Sequence, residues 1–222
     1  MPKKERDMKL FDGDIAELKK ALSDMPPQWD GKEAILALQK RDYQWRQMEW
    51  IGFYFEILCR DRIGGEFAVP GRKYGNVEFD CFRSINWDMK ASAIKTDRHA
   101  AILNDITATD ASIEEFGAHG VIMALVDVDY NDENRTFQEW HSELKGGKSK
   151  YELDRIRRNA ISRYRKTRAD LQQILFLTIT NENKPYLNRH EQGRNADGSP
   201  RNPKYEINIE QAEKFESERI EF

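Results

Sequence analysis

Cysteine is scarce in this chain: 222 residues hold only Cys59 and Cys81, both among apolar neighbours and without CxxC spacing. That excludes a disulfide framework and a cysteine-built zinc site, and predicts two free, buried thiols in a reducing compartment. Histidine is nearly as rare, with His99, His119, His141 and His190 scattered without metal-ligand spacing, so each is read as structural. No apolar run approaches the roughly 18 residues a membrane helix requires. The stretch MPKKERDMKLFDGD has no signal-peptide core, and a cytoplasmic protein without membrane contact is expected. Nor does one sign of charge dominate: 36 Lys and Arg face 39 Asp and Glu, for a net charge of −3. What remains is plentiful. Five Trp, eight Tyr and eleven Phe are too many for a disordered chain that is 34% charged. The length suits one domain with a real core.

The near-neutral total hides local asymmetry. Residues 145–168 carry ten Lys and Arg against two acidic residues, whereas residues 206–222 carry six acidic against two basic. A concentrated basic stripe points to phosphate contact, because such contact is local.

Along the chain, Asp12 or Asp14 is expected to cap a short helix that Pro26 and Pro27 end, behind a loose first ten residues. Asp30 caps a long helical pattern over 32–62, closed by Gly64 and Gly65. Short strands are predicted over 66–69, 76–82 and 85–91, with turn chemistry over 70–75 and a tight reversal at Arg83 and Ser84. A helical stretch follows over 112–116. Residues 121–128 read as a strand covered on both faces, 137–144 as a helix and 150–171 as a long basic helix. A second buried strand is expected over 174–179, then a long loop over 181–204, a short edge strand over 206–209 and a helical acidic tail. The order predicts a single α/β domain with a central mixed sheet flanked by helices and a helical N-terminal part. Its parts are residues 1–62 (helical), 63–180 (α/β core) and 181–222 (loop and tail).

The informative stretch is Val77-Glu78-Phe79-Asp80-Cys81-Phe82-Arg83-Ser84-Ile85-Asn86-Trp87-Asp88-Met89-Lys90. Asp88 and Lys90 lie two apart on a strand, so their side chains leave one face. A hairpin brings Asp80 alongside Asp88. Two neighbouring carboxylates repel unless a cation sits between them, and Mg²⁺ takes such oxygen ligands while keeping waters. An adjacent ammonium can position the attacking water, which phosphodiester hydrolysis needs. A bland alternative is a solvated strand face with a weak ion pair, but Phe79, Phe82, Ile85, Trp87 and Ala91 make this an apolar hairpin.

An Asp, a short spacer and Asp-x-Lys on adjacent strands behind a Glu-bearing helix resembles the PD-(D/E)XK nuclease superfamily, and Type II restriction endonucleases in particular. The motif departs from the family's in carrying Phe79 where Pro is usual. The resemblance implies a restriction-endonuclease-like core that cuts double-stranded DNA, leaving 5′-phosphate and 3′-hydroxyl ends. It implies Asp80, Asp88 and the Met89 carbonyl as Mg²⁺ ligands and Lys90 as the water-positioning group. A further carboxylate from the preceding helix is implied too, with Glu56, set among Phe53, Tyr54, Phe55 and Ile57, preferred over Glu49. By analogy with palindrome cutters a homodimer is expected.

A second Asp…Glu-x-Lys spacing, Asp127 with Glu143 and Lys145, is disfavoured because residues 137–144 read helical and an i, i+2 pair diverges there. Candidate phosphate contacts are Lys148, Lys150, Arg157, Arg158, Arg163 and Arg165 on the basic helix. Arg189, Arg194 and Asn195, in a loop rich in side chains that read base edges, are candidate sequence readers. The competing expectations are a repair nuclease or junction resolvase on the same core, and a non-catalytic DNA-binding regulator.

Overall fold

The computed structural model describes residues 3–70, 79–95, 99–160, 164–194 and 197–222. The chain opens with helix α1 (Lys3–Leu22), strand β1 (Gln28–Asp30) and helices α2 (Gly31–Lys40) and α3 (Trp50–Ile63). Strands β2 (Cys81–Phe82), β3 (Asn86–Ala93) and β4 (Ala100–Asp105) follow, then helix α4 (Ile106–Phe116) and strand β5 (His119–Asp129). Helices α5 (Thr136–Leu144) and α6 (Lys150–Arg157) lead into the long strand β6 (Arg168–Ile179). Strands β7 (Asn188–His190), β8 (Lys204–Asn208) and β9 (Glu216–Glu221) complete the chain, with 3-10 turns at Lys184–Tyr186 and Ile209–Lys214.

The architecture is mixed α/β. The central sheet runs β1-β6-β5-β3-β2, with β9 also paired to β6, and a second sheet runs β4-β8-β7. Among the described strands only β3 and β5 pair in parallel, in the register Asp88 to Val121 and Lys90 to Met123; the other strand pairs are antiparallel. Alternation along β5 divides the interior. Ile122, Ala124 and Val126 join a core with α1, α2 and α3, whereas Val121, Met123 and Leu125 join a second core with β4, α4 and β8. The apolar run at 121–128 is therefore covered on both faces, as expected. No described helix is long and apolar enough to cross a membrane.

Several expected elements differ. The helix over 32–62 is two helices: α2, capped by the Asp30 carboxylate on the Lys32 and Glu33 amides, stops at Lys40. Asp42 and Gln44 then take positive φ (52° and 43°), which turns the chain and buries Tyr43. The basic helix is shorter still. Ser149 caps α6 through the Glu152 amide, and Asn159 at φ 51° follows its end. Residues from Arg168 onward pair with β5 and belong to β6. The 206–209 segment is not an edge: β8 lies between β4 and β7. The acidic tail forms β9, docked on β6 and tied to α1 by Lys19 and Glu218 at 2.8 Å. Charged side chains suit such a strand at the sheet margin. The first ten residues, expected loose, enter α1 at Lys3, so Asp14 lies inside a helix rather than at its cap. Residues 66–69 supply only bridge contacts, chiefly Ala68 with Phe82. Residues 71–78, Arg163 and Asn195 lie outside the described residues.

Candidate active site

The hairpin of β2 and β3 sets the geometry. Cys81 pairs with Trp87, and the Asp80 amide continues the ladder by donating to the Trp87 carbonyl at 3.0 Å. The Asp80 carboxylate accepts from the Met89 amide at 2.7 Å, which fixes it beside Asp88 and Lys90. The reversal between the strands is held from α1: buried Asp14 accepts from the Ser84 amide (3.0 Å), the Ile85 amide (3.4 Å) and the Trp87 indole (3.0 Å).

Along β3, Trp87 and Met89 enter the larger core, while the register with Val121 and Met123 sends Asp88 and Lys90 to the opposite face. There the buried Asp88 accepts from His119 Nε2 at 3.0 Å and from the Asn104 side chain. A carboxylate only accepts, so His119 donates from Nε2; its Nδ1 is buried with no hydrogen-bond partner among the described residues. Lys90 Nζ lies 4.0 Å from Asp80 Oδ2. From α3, Glu56 is bound by Arg60 at 2.6 Å and by the Tyr43 hydroxyl, within electrostatic reach of Asp80 and Lys90.

The electrostatics mark an overcrowded acidic site. Burial, reinforced by the Asp80 charge, pushes the Glu56 carboxyl up to about 7. Burial also raises Asp80, with Asp88 adding to the rise and Lys90 opposing it. Burial would raise Asp88 as well, but Lys90 and the His119 hydrogen bond hold it below the ordinary range. Lys90 pays a burial penalty, yet Asp88, Asp80, Glu56 and Asp105 together keep its ammonium above the usual lysine value. Adjacent Cys81 is free, and burial then Asp80 push its thiol up; burial, then the neighbouring Cys81, raises Cys59.

The donor set suits a hard cation: carboxylate oxygens of Asp80 and Asp88 on one hairpin, with the Met89 carbonyl next to Asp88 in sequence. Among the described residues no group of three or more His, Cys, Asp or Glu is arranged to hold a metal ion. A closed protein cage is therefore absent there. Mg²⁺ needs none, since it is usually held by one or two carboxylates and keeps its waters for substrate phosphates.

The sequence-predicted residues divide in two. Asp80, Asp88, Lys90 and Glu56 come together. Glu49, at the N-terminus of α3, instead binds Lys166 at 2.5 Å. Asp127 faces Lys95 at 3.2 Å, while Glu143 is exposed on α5. The expected basic stripe is not one surface. Lys148, Lys150, Arg157 and Arg158 are exposed, with Arg157 on Asp154 at 3.2 Å. Arg165 is a correction: it is buried against Met48 and Glu152 rather than presented on a helix. Arg189 is paired with Glu191 at 2.5 Å, and Arg194 donates to the Gly198 carbonyl at 2.7 Å. Sequence reasoning missed His119, Asn104 and Asp14. His119 opens the apolar run of β5, but its reach to Asp88 depends on a parallel pairing that spacing does not encode. No protein-family model, curated protein or solved structure matches the chain.

Proposed function

We propose that the chain is a Mg²⁺-dependent endonuclease acting on double-stranded DNA, with a restriction-endonuclease-like core of the PD-(D/E)XK type and a homodimeric assembly. One observation carries this reading: Glu56, Asp80, Asp88 and Lys90, from two separate parts of the chain, converge on a partly buried spot with more carboxylate than its own cations neutralise. Asp80 and Asp88 would hold the ion, which when bound supplies a Lewis acid for the scissile phosphate. Lys90 orients the attacking water and supports the charge that develops on phosphorus oxygens. The Met89 amide keeps Asp80 aimed at Asp88, and His119 does the same for Asp88. Glu56, with a carboxyl titrating near neutrality, can take or give a proton beside that water.

Incubating phage-length duplex DNA with Mg²⁺ and sequencing the fragment ends tests the reading. Discrete fragments bearing 5′-phosphate and 3′-hydroxyl ends are expected. Cleavage confined to branched substrates would reassign the same core to junction resolution. Duplex binding without cleavage at any Mg²⁺ or Mn²⁺ concentration would replace the reading with a DNA-binding regulator.

A further inference from the structure

The α2–α3 connection, the α5–α6 connection, α6 and Arg165 enclose a cavity of about 810 Å³. Five cationic side chains line it, Arg46, Lys145, Lys148, Arg155 and Arg165, with a single carboxylate, Glu152. That carboxylate is already engaged: it accepts from the Gln138 amide at 2.6 Å and faces the Arg165 guanidinium at 3.7 Å. Burial, then repulsion from Arg165 and Arg46 against the pull of Glu152, holds the Lys145 ammonium below the ordinary lysine range. Burial lowers the Arg165 guanidinium too, despite Glu152 and Asp132. Five like charges in a concave, partly desolvated space, offset by one carboxylate in the lining, leave an excess of positive charge that favours a further anion.

We infer that this cavity binds the terminal phosphate monoester of a nucleotide or polynucleotide strand. A monoester carries close to two charges near neutral pH and three acceptor oxygens on one phosphorus, so it meets several cations at once. An internal phosphodiester brings one charge on a convex backbone, which suits the exposed Arg157 and Arg158 better. The volume falls in the range of small-ligand pockets, roughly 300–1,000 Å³. The surroundings fit a strand. Met48 and Arg165 also wall an adjoining groove of about 310 Å³, where Tyr130 (43% exposed) offers a face on which a base stacks, beside Tyr164, whose ring carries the Arg135 guanidinium at 4.4 Å. Glu49 and Lys166 join that groove to a further one of about 370 Å³ that reaches Lys90. Binding in the cavity does not depend on cleavage at Asp80 and Asp88.

Fluorescence anisotropy in EDTA tests this with short single-stranded oligonucleotides carrying a 5′-phosphate, a 3′-phosphate or hydroxyls at both ends. One phosphorylated end is expected to bind at least about tenfold tighter than the hydroxyl-ended strand, as charge-assisted hydrogen bonds to one group provide, and inorganic phosphate should erase the difference. Arg46→Ala combined with Lys148→Ala, at exposed positions, should remove most of that preference without lowering the melting temperature. Lys145→Gln provides a second variant, and Arg157→Ala is the control that keeps the preference. AMP competing as well as the phosphorylated strand identifies free nucleotide as the source of the phosphate; weaker competition identifies a strand end. Equal affinity for all three oligonucleotides with no competition by inorganic phosphate, or a preference that survives the double variant, overturns the inference.

Discussion

On the Asp88 carboxylate three influences meet: burial disfavours its charge, while Lys90 and His119 restore it. Asp88→Asn removes that charge without touching an exposed cation, so cleavage should fall by more than about tenfold while duplex affinity stays unchanged; gel shift and rate measured on one preparation check both. His119 separates geometry from packing. Its Nε2–H is the part that Asp88 uses, so His119→Gln, which keeps an N–H donor, should retain Mn²⁺ binding. His119→Leu removes one of the hydrogen bonds to a buried carboxylate and should cost about 1–3 kcal/mol of stability with weakened metal binding in calorimetry. Glu56 gives the pH dependence. Its carboxyl is raised from 4.5 to about 7, so the folded state prefers the protonated form. Stability from this group is full below pH 4.5, declines as pH rises and is lost above about 7, by at most about 3 kcal/mol. Chemical denaturation at pH 5 and pH 8 should show the decline in the wild type and its near absence in Glu56→Gln.

Register is decided at the scale of elements. Trp87 lies opposite Gly120 across the parallel pair, and a Cβ on Gly120 would come within 2.3 Å of the indole ring. Gly120→Ala must displace Trp87 and with it the strand that carries Asp88, at a cost of about 1–3 kcal/mol; urea denaturation measures it. The same pairing shows what the sequence made legible. The runs at 121–128 and 174–179 were readable because strands buried on both faces need continuous apolar residues, and the Asp80–Lys90 hairpin because apolar side chains flank each charged one. The break after Lys40 was not, because the pattern from Ile35 to Leu58 keeps helical steps through a loop whose turn depends on burying Tyr43. The basic segment misled in the same way: charges at three- and four-residue steps imitate a helix face, whereas its end belongs to β6, whose partner β5 lies remote in sequence. Asp14 and His119 act across 70 and 31 residues, distances that local spacing cannot report.

Across the whole molecule, two cores cover the sheet from both sides, and two charge clusters of opposite sign lie apart from each other. The carboxylates gather where β3 meets β2 and α3, and the cations gather around the α5–α6 connection, with grooves running between them. Opposite charges held apart in this way suit a phosphate polymer laid along the grooves and a cation held at one end. The most direct test of that account sets Lys90→Ala beside the wild type, with Ca²⁺ binding by calorimetry and Mg²⁺-dependent DNA cleavage measured on the same samples. Removing an ammonium 4.0 Å from Asp80 should leave Ca²⁺ binding intact or tighter, while cleavage falls by about a hundredfold or more. Near-normal cleavage by Lys90→Ala, or the absence of any Ca²⁺ binding in the wild type, would contradict the assignment of this hairpin as the catalytic centre.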